Sequence, residues 1–215
     1  MRNMLFIFFA VFFIAASAGS LLAENASGPL PGMAREKPLI ALVIAPENFR
    51  DEELFVPLEL LQKVGYRTTI ASTRIGKAVG MLEGAAEVQS LISDLRAENL
   101  SGIILIGGTG APAHLWDEPA LRVLVQELAK VGKPIGAICL SPIVLSRAGL
   151  LKGKKATAWK DEKVITELKA GGAAYFDKSC VEDGLIITGN GPEAAAAFAK
   201  AFVKKLPEVG GRAGK

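Results

Sequence analysis

The sequence predicts an α/β fold in which a parallel sheet is covered by helices on both faces. Three observations carry that expectation. Short, continuously apolar runs at 39–45, 103–106 and 135–138 read as strands buried on both faces. Segments of helical period alternate with such runs along the chain, and this alternation builds parallel sheets through helical crossovers. Special residues follow three of the strands: Glu53, the pair Gly107 and Gly108, and Cys139. Ligands bind beyond the carboxyl ends of strands in open α/β sheets.

The elements follow in order. After the strand at 39–45 comes a polar stretch, then a helix at about 53–64, with Leu54, Pro57, Leu58, Leu61 and Val64 on its apolar face. Gly65 caps it, and Pro57 belongs in its first turns. Residues 66–72 form a second strand, and 77–88 a hairpin turning at Glu83 and Gly84. The strand at 103–106 runs into Gly107, Gly108, Thr109 and Gly110. A helix spans 118–131 and stops at Gly132. A strand at 135–138 precedes a helix at 141–148, closed by Gly149. A short strand at 156–159 and a helix around 164–168 come next. Strands at 174–176, 179–181 and 185–188 surround a turn at Asp183 and Gly184, and a last helix covers 193–206 behind Pro192.

The 215 residues suit one such domain. The first 23 stand apart. Residues 4–16 are apolar and hold five phenylalanines, and Ala16, Ser17 and Ala18 make a small-x-small cleavage signal. Residues 1–23 therefore read as a signal peptide, cut after Ala18 or Ala23, which places the mature chain in the periplasm or outside the cell. The alternative is an uncleaved membrane anchor, but the run is short for a full span. Residues 24–37 form a linker, 38–206 the domain and 207–215 a disordered tail. Losing Arg2 with the signal takes the net charge from +3 to +2, and the bases are dispersed, which argues against nucleic acid as a partner. After signal removal no membrane contact is expected. One histidine and two cysteines make a zinc-type site hard to build, so neither metal nor cofactor is expected. Cys139 and Cys180 leave open one disulfide or two separate thiols.

Cys139 is the residue with the most to say about chemistry. A strand runs directly into it and a helix starts after it, the layout of a nucleophile elbow. A thiol at a helix N-terminus is expected to have a depressed pKa.

Ala137, Ile138 and Cys139, the loop Gly107, Gly108, Thr109, Gly110 and Ala111, and Glu53 four residues before Pro57 together make the chain resemble the ThiJ/PfpI superfamily. The segment from Ala148 to Gly153, then Ala156 to Trp159, Asp183 to Thr188, and Gly191 with Pro192 agree with it. The resemblance implies a flavodoxin-like, glutamine-amidotransferase-like α/β/α sandwich. It also implies Cys139 as nucleophile or redox thiol and Glu53 as its protonated partner. Spacing alone does not choose among Asp51, Glu52 and Glu53; the family register chooses Glu53. The backbone N–H groups of Gly108 and Leu140 would form an oxyanion hole. Gly107, Trp159 and His114 are the further pocket candidates, and a homodimer is the implied assembly.

The chain also departs from the family. Leu140 and Trp159 stand where many members carry histidine, so no imidazole accompanies the thiol in those positions. Peptidase activity is not expected. The expected function is Cys139 acting on small reactive carbonyls or glycated adducts with Glu53 as proton shuttle. The alternative is a redox-sensing or chaperone-like stress protein whose Cys139 is oxidised without turnover. The partner is then a small electrophile or an oxidant. A silent fold that binds a ligand or another chain is a third reading.

Overall fold

The computed structural model describes residues 38–209. The expected signal peptide, the expected linker up to residue 37 and the expected tail beyond 209 lie outside the described residues. Twelve strands and six α-helices are described: β1 Leu39–Val43, β2 Glu47–Phe49, α1 Asp51–Lys63, β3 Arg67–Ser72, β4 Gly76–Gly80, β5 Ala85–Val88, β6 Ser90–Leu91, β7 Gly102–Leu105, α2 Ala111–His114, α3 Pro119–Lys130, β8 Ile135–Ile138, α4 Pro142–Arg147, β9 Lys155–Ala156, α5 Glu162–Ala170, β10 Ala174–Tyr175, β11 Cys180–Asp183, β12 Ile186–Gly189 and α6 Ala195–Val203.

Seven strands form the central sheet, in the order β11-β12-β8-β7-β1-β3-β6. All pair in parallel except β11, which runs antiparallel to β12 and makes the sheet mixed at that edge. The Asp183–Gly184 turn accounts for this, because a tight turn can only return the chain antiparallel. The period-two geometry of strands divides the core. Ala41, Val43, Ile103, Leu105, Ile135 and Ala137 face one side with α3, α4 and α5. Ile40, Leu42, Ile104 and Ile138 face the other, against Leu54, Leu61, Phe198 and Phe202 of α1 and α6. The approach of α6 depends on Gly136, where a Cβ would lie 2.8 Å from Phe198 Cζ.

A second sheet, β2-β4-β5, contains the expected hairpin, with Glu83 at φ 64° in its turn. Strand β2 occupies the polar stretch that reads as irregular in sequence, and pairs with β4 through a register shift. Helix α1 starts at Asp51, two residues before the expected start, and Pro57 stands in its second turn. There the ring nitrogen cannot donate to the Glu53 carbonyl. The last helix opens with a 3-10 turn at Pro192–Ala194. Both cysteines are free thiols, Cys180 half-buried on the edge strand. Past α6, Tyr66 donates its hydroxyl proton to the Pro207 carbonyl, and Val209 packs near Gly65. No helix among the described residues is long and apolar enough to cross a membrane.

Candidate active site

The chain turns sharply between β8 and α4, and Cys139 takes the strain with φ 63°. A non-glycine residue held in this left-handed region costs on the order of 1–3 kcal/mol and persists only when its surroundings fix it. Four bonds do so. The Cys139 N–H donates to the Gly189 carbonyl at 2.9 Å, and the Cys139 carbonyl accepts from the Trp159 N–H at 2.8 Å. The Ser141 N–H returns to the Ile138 carbonyl at 3.1 Å. The Trp116 indole Nε1–H donates to the Leu140 carbonyl at 2.8 Å. The buried Ser141 hydroxyl then ties the elbow to β7 by donating to the Ile106 carbonyl at 2.7 Å.

Three successive carboxylates open α1, and helical rotation sends them to three places. Asp51 turns to the hairpin, its Oδ2 accepting from Leu82 N–H and its Oδ1 from Gly84 N–H, both at 2.8 Å. Glu52 pairs with Arg50, at 2.9 Å from Nη2 and 2.8 Å from Nε. Glu53 points inward and is 0% exposed. Its Oε2 accepts from the Gly107 N–H at 3.0 Å, while Oε1 has no partner within hydrogen-bonding geometry. A Cβ on Gly107 would lie 2.5 Å from Cys139 Cβ and 2.8 Å from Glu53 Oε2. The bare glycine is thus what lets thiol and carboxyl share one small space.

Burial pushes the Glu53 carboxyl from 4.5 up to about 7, against opposing pulls from Cys139 and the Gly107 N–H. The Cys139 thiol is pushed up to about 12, first by burial and then by the Glu53 charge, while the N–H groups of Gly108 and Leu140 pull it down. This corrects the expectation of a depressed thiol. Helix α4 has only six residues, so its dipole is small beside the desolvation of the sulfur of a cysteine that is 7% exposed. Two negative charges in one buried space repel, so the pair carries at most one of them near neutral pH.

A cavity of about 490 Å³ opens above the thiol. Gly108, Thr109, Cys139, Leu140, Trp159, Gly191 and Pro192 line it, joined by Arg50, Met81, Lys160, Asn190 and Glu193, which the sequence does not single out. Proximity of Asn190 and Gly191 follows from the register, because β12 ends beside the elbow. Trp159 has a ring that packs against Gly191, where a Cβ would meet it at 2.9 Å. Gly107 lies beneath the thiol rather than on the cavity wall. His114 does not line the cavity; its Nε2 lies 3.2 Å from Glu47 Oε1, on the short helix that follows Gly110. Among the described residues no cluster of three His, Cys, Asp or Glu side chains is placed to hold a metal ion.

A strained cysteine at a strand-to-helix elbow, over a buried carboxyl and two glycines, defines an α/β protein of the cysteine-elbow class. The profile of the DJ-1/PfpI family matches residues 39–205, and the chain belongs to that family. An uncharacterised protein of Methanocaldococcus jannaschii is 39% identical over 191 residues, 89% of this chain and 92% of that one. A deglycase of Thermococcus kodakarensis is 28% identical over 165 residues, 77% of this chain and 98% of its own. Among solved structures, a ThiJ/PfpI domain protein from Brachyspira murdochii superposes with a TM-score of 0.75 at 28% identity, covering 79% of this chain and 96% of that one.

Proposed function

We propose that the protein uses Cys139, paired with Glu53, to react with small carbonyls or glycated adducts without a histidine base. The observation that carries this reading is the fully buried Glu53 carboxyl, whose Oε2 accepts from the Gly107 N–H beside Cys139 and which burial pushes up to about 7. A group with that pKa both accepts and returns a proton at neutral pH. In the first step the Cys139 sulfur bonds to the carbonyl carbon while the Glu53 carboxylate takes the thiol proton. The carbonyl π pair moves onto oxygen, where the Gly108 and Leu140 N–H groups hold the charge. The carboxyl then gives its proton to that oxygen, leaving a neutral hemithioacetal. The cavity has the size of a small-molecule site, and the name of the Thermococcus relative, a deglycase, agrees with the substrate class. Amide hydrolysis fits poorly, since no imidazole among the described residues stands at the cavity to protonate a leaving amine, and such general acid–base help is typically worth about 10²–10⁴ in rate.

The test is methylglyoxal loss with purified protein. Consumption that disappears in Cys139→Ala, with peptide amides left intact, supports the proposal; no consumption by the unaltered protein overturns it. A second reading draws on the two backbone donors aimed at the sulfur, which would also hold an oxidised sulfur. Stable oxygen mass at Cys139 after mild peroxide, without carbonyl consumption, would favour that redox role.

A further inference from the structure

Trp116 does not line the cavity, yet its side chain is bonded to the elbow. We infer that Trp116 is a positioning residue: its indole N–H holds the Leu140–Ser141 amide, and with the Trp159 N–H on the amide before it this keeps the Leu140 N–H turned toward the Cys139 sulfur. This role rests on Cys139 being the working thiol, as proposed above.

The bonding of the turn singles this residue out. The other bonds to the backbone groups of this turn, including the Val144 N–H donating to the Ser141 carbonyl at 3.0 Å, join backbone to backbone. Only the Leu140 carbonyl is held by a side chain, at 2.8 Å. The Leu140 N–H lies in the Cys139–Leu140 amide, whose carbonyl the Trp159 N–H holds, and the Leu140 carbonyl lies in the next amide; with both amides bonded, the Cα that joins them cannot turn the donor away from the sulfur. The neighbouring residue sits at φ 63° and would relax if released.

Trp116 is itself held in place. The Arg147 guanidinium lies over its ring, 5.0 Å from the centroid. Arg147 is anchored in turn by Glu167 Oε1 at 2.5 Å from Nε and Asp117 Oδ1 at 2.7 Å from Nη1. Arg147 is the last residue of α4, and Leu140 lies just before that helix begins. One indole therefore touches both ends of the elbow helix. A residue that only filled space would need neither the N–H bond nor the cation above the ring.

The experiment measures iodoacetamide alkylation of Cys139, resolved from Cys180 by peptide mass, in the full chain between about pH 6 and 10. Trp116→Phe keeps an aromatic ring under Arg147 and removes the N–H. Alkylation should slow by roughly tenfold at each pH, equivalent to about 1.4 kcal/mol, because the Leu140 donor is freed to turn away from the thiolate. Arg147→Met should slow it by roughly threefold, through the same turn. A packing role alone gives the opposite sign: loosening exposes a thiol that is 7% accessible, and alkylation accelerates. Unchanged or faster alkylation in folded Trp116→Phe overturns the inference, and if that variant does not fold, Arg147→Met decides by the same criterion. Alkylation involves no turnover. A wild-type protein that fails to consume methylglyoxal therefore refutes the proposed activity and leaves this test standing.

Discussion

Glu53→Gln should remove a pH-dependent weakness from the fold. The folded carboxyl titrates at about 7, against 4.5 when free. The folded state therefore holds a proton that the unfolded state releases, and stability falls as pH rises through that window. The gap corresponds to about 3 kcal/mol, the cost of ionising a buried carboxylate. Below the free value the cost is absent; above the folded value it is fully present. Glutamine is nearly isosteric, keeps an oxygen for the Gly107 N–H and does not titrate. Urea unfolding at pH 5 and pH 8 reads the effect, most of which falls between those values. The wild type should lose about 2–3 kcal/mol more than the variant over that interval. Taking the difference between the two proteins cancels other groups, among them Asp183, whose lowered pKa contributes with the opposite sign. The same variant should lower the thiol, since the Glu53 charge is one of the influences that push it up. Equal pH dependence in the two proteins would refute the assignment of Glu53 as a buried, neutral-range acid.

Two other substitutions probe how the site is assembled. Gly107→Ala places a methyl 2.5 Å from Cys139 Cβ and 2.8 Å from both Glu53 Oε2 and the Ile138 carbonyl oxygen. It should destabilise by about 1–3 kcal/mol through overpacking, and an unchanged urea midpoint would mean the site has slack that its geometry denies. Asp51→Ala strands the Leu82 and Gly84 N–H groups. Hydrogen exchange at those two amides should accelerate while β1 stays protected, at a cost of roughly 1–3 kcal/mol; retained protection at both would show that the hairpin holds its turn without the carboxylate.

The central strands and main helices are legible in the sequence because burial on both faces leaves continuous apolar runs, as at 39–45 and 103–106. The glycines that end helices are legible for a related reason: Gly65 and Gly132 have positive φ, which the last turn needs and other residues resist. Elements whose pairing is long-range escape such a reading. Strand β2 has two exposed residues of three and exists because β4 lies beside it, a neighbour some thirty residues on. The start of α1 escapes as well, because Asp51 reads as part of a polar loop, whereas its carboxylate is satisfied by the hairpin rather than by solvent.

The site shows a sharper division. Cys139 can be found from local order alone, strand then thiol then helix, because an elbow is a local structure. Glu53 cannot, since three carboxylates in a row are equivalent until α1 is docked and each turns to a different neighbour. Only docking makes one of them fully buried, and burial is what raises its pKa. The sign of the thiol's shift is hidden for the same reason. A helix N-terminus is visible in sequence and argues for thiolate, but desolvation and a facing carboxyl appear only when the sheet, α1 and the Gly107 loop meet. Desolvation, the stronger of the two influences, leaves no local signature. A cysteine at an elbow is therefore not by itself an activated thiol: in this protein burial and the Glu53 charge push the thiol up, and burial brings that charge into the neutral range by raising the carboxyl to about 7.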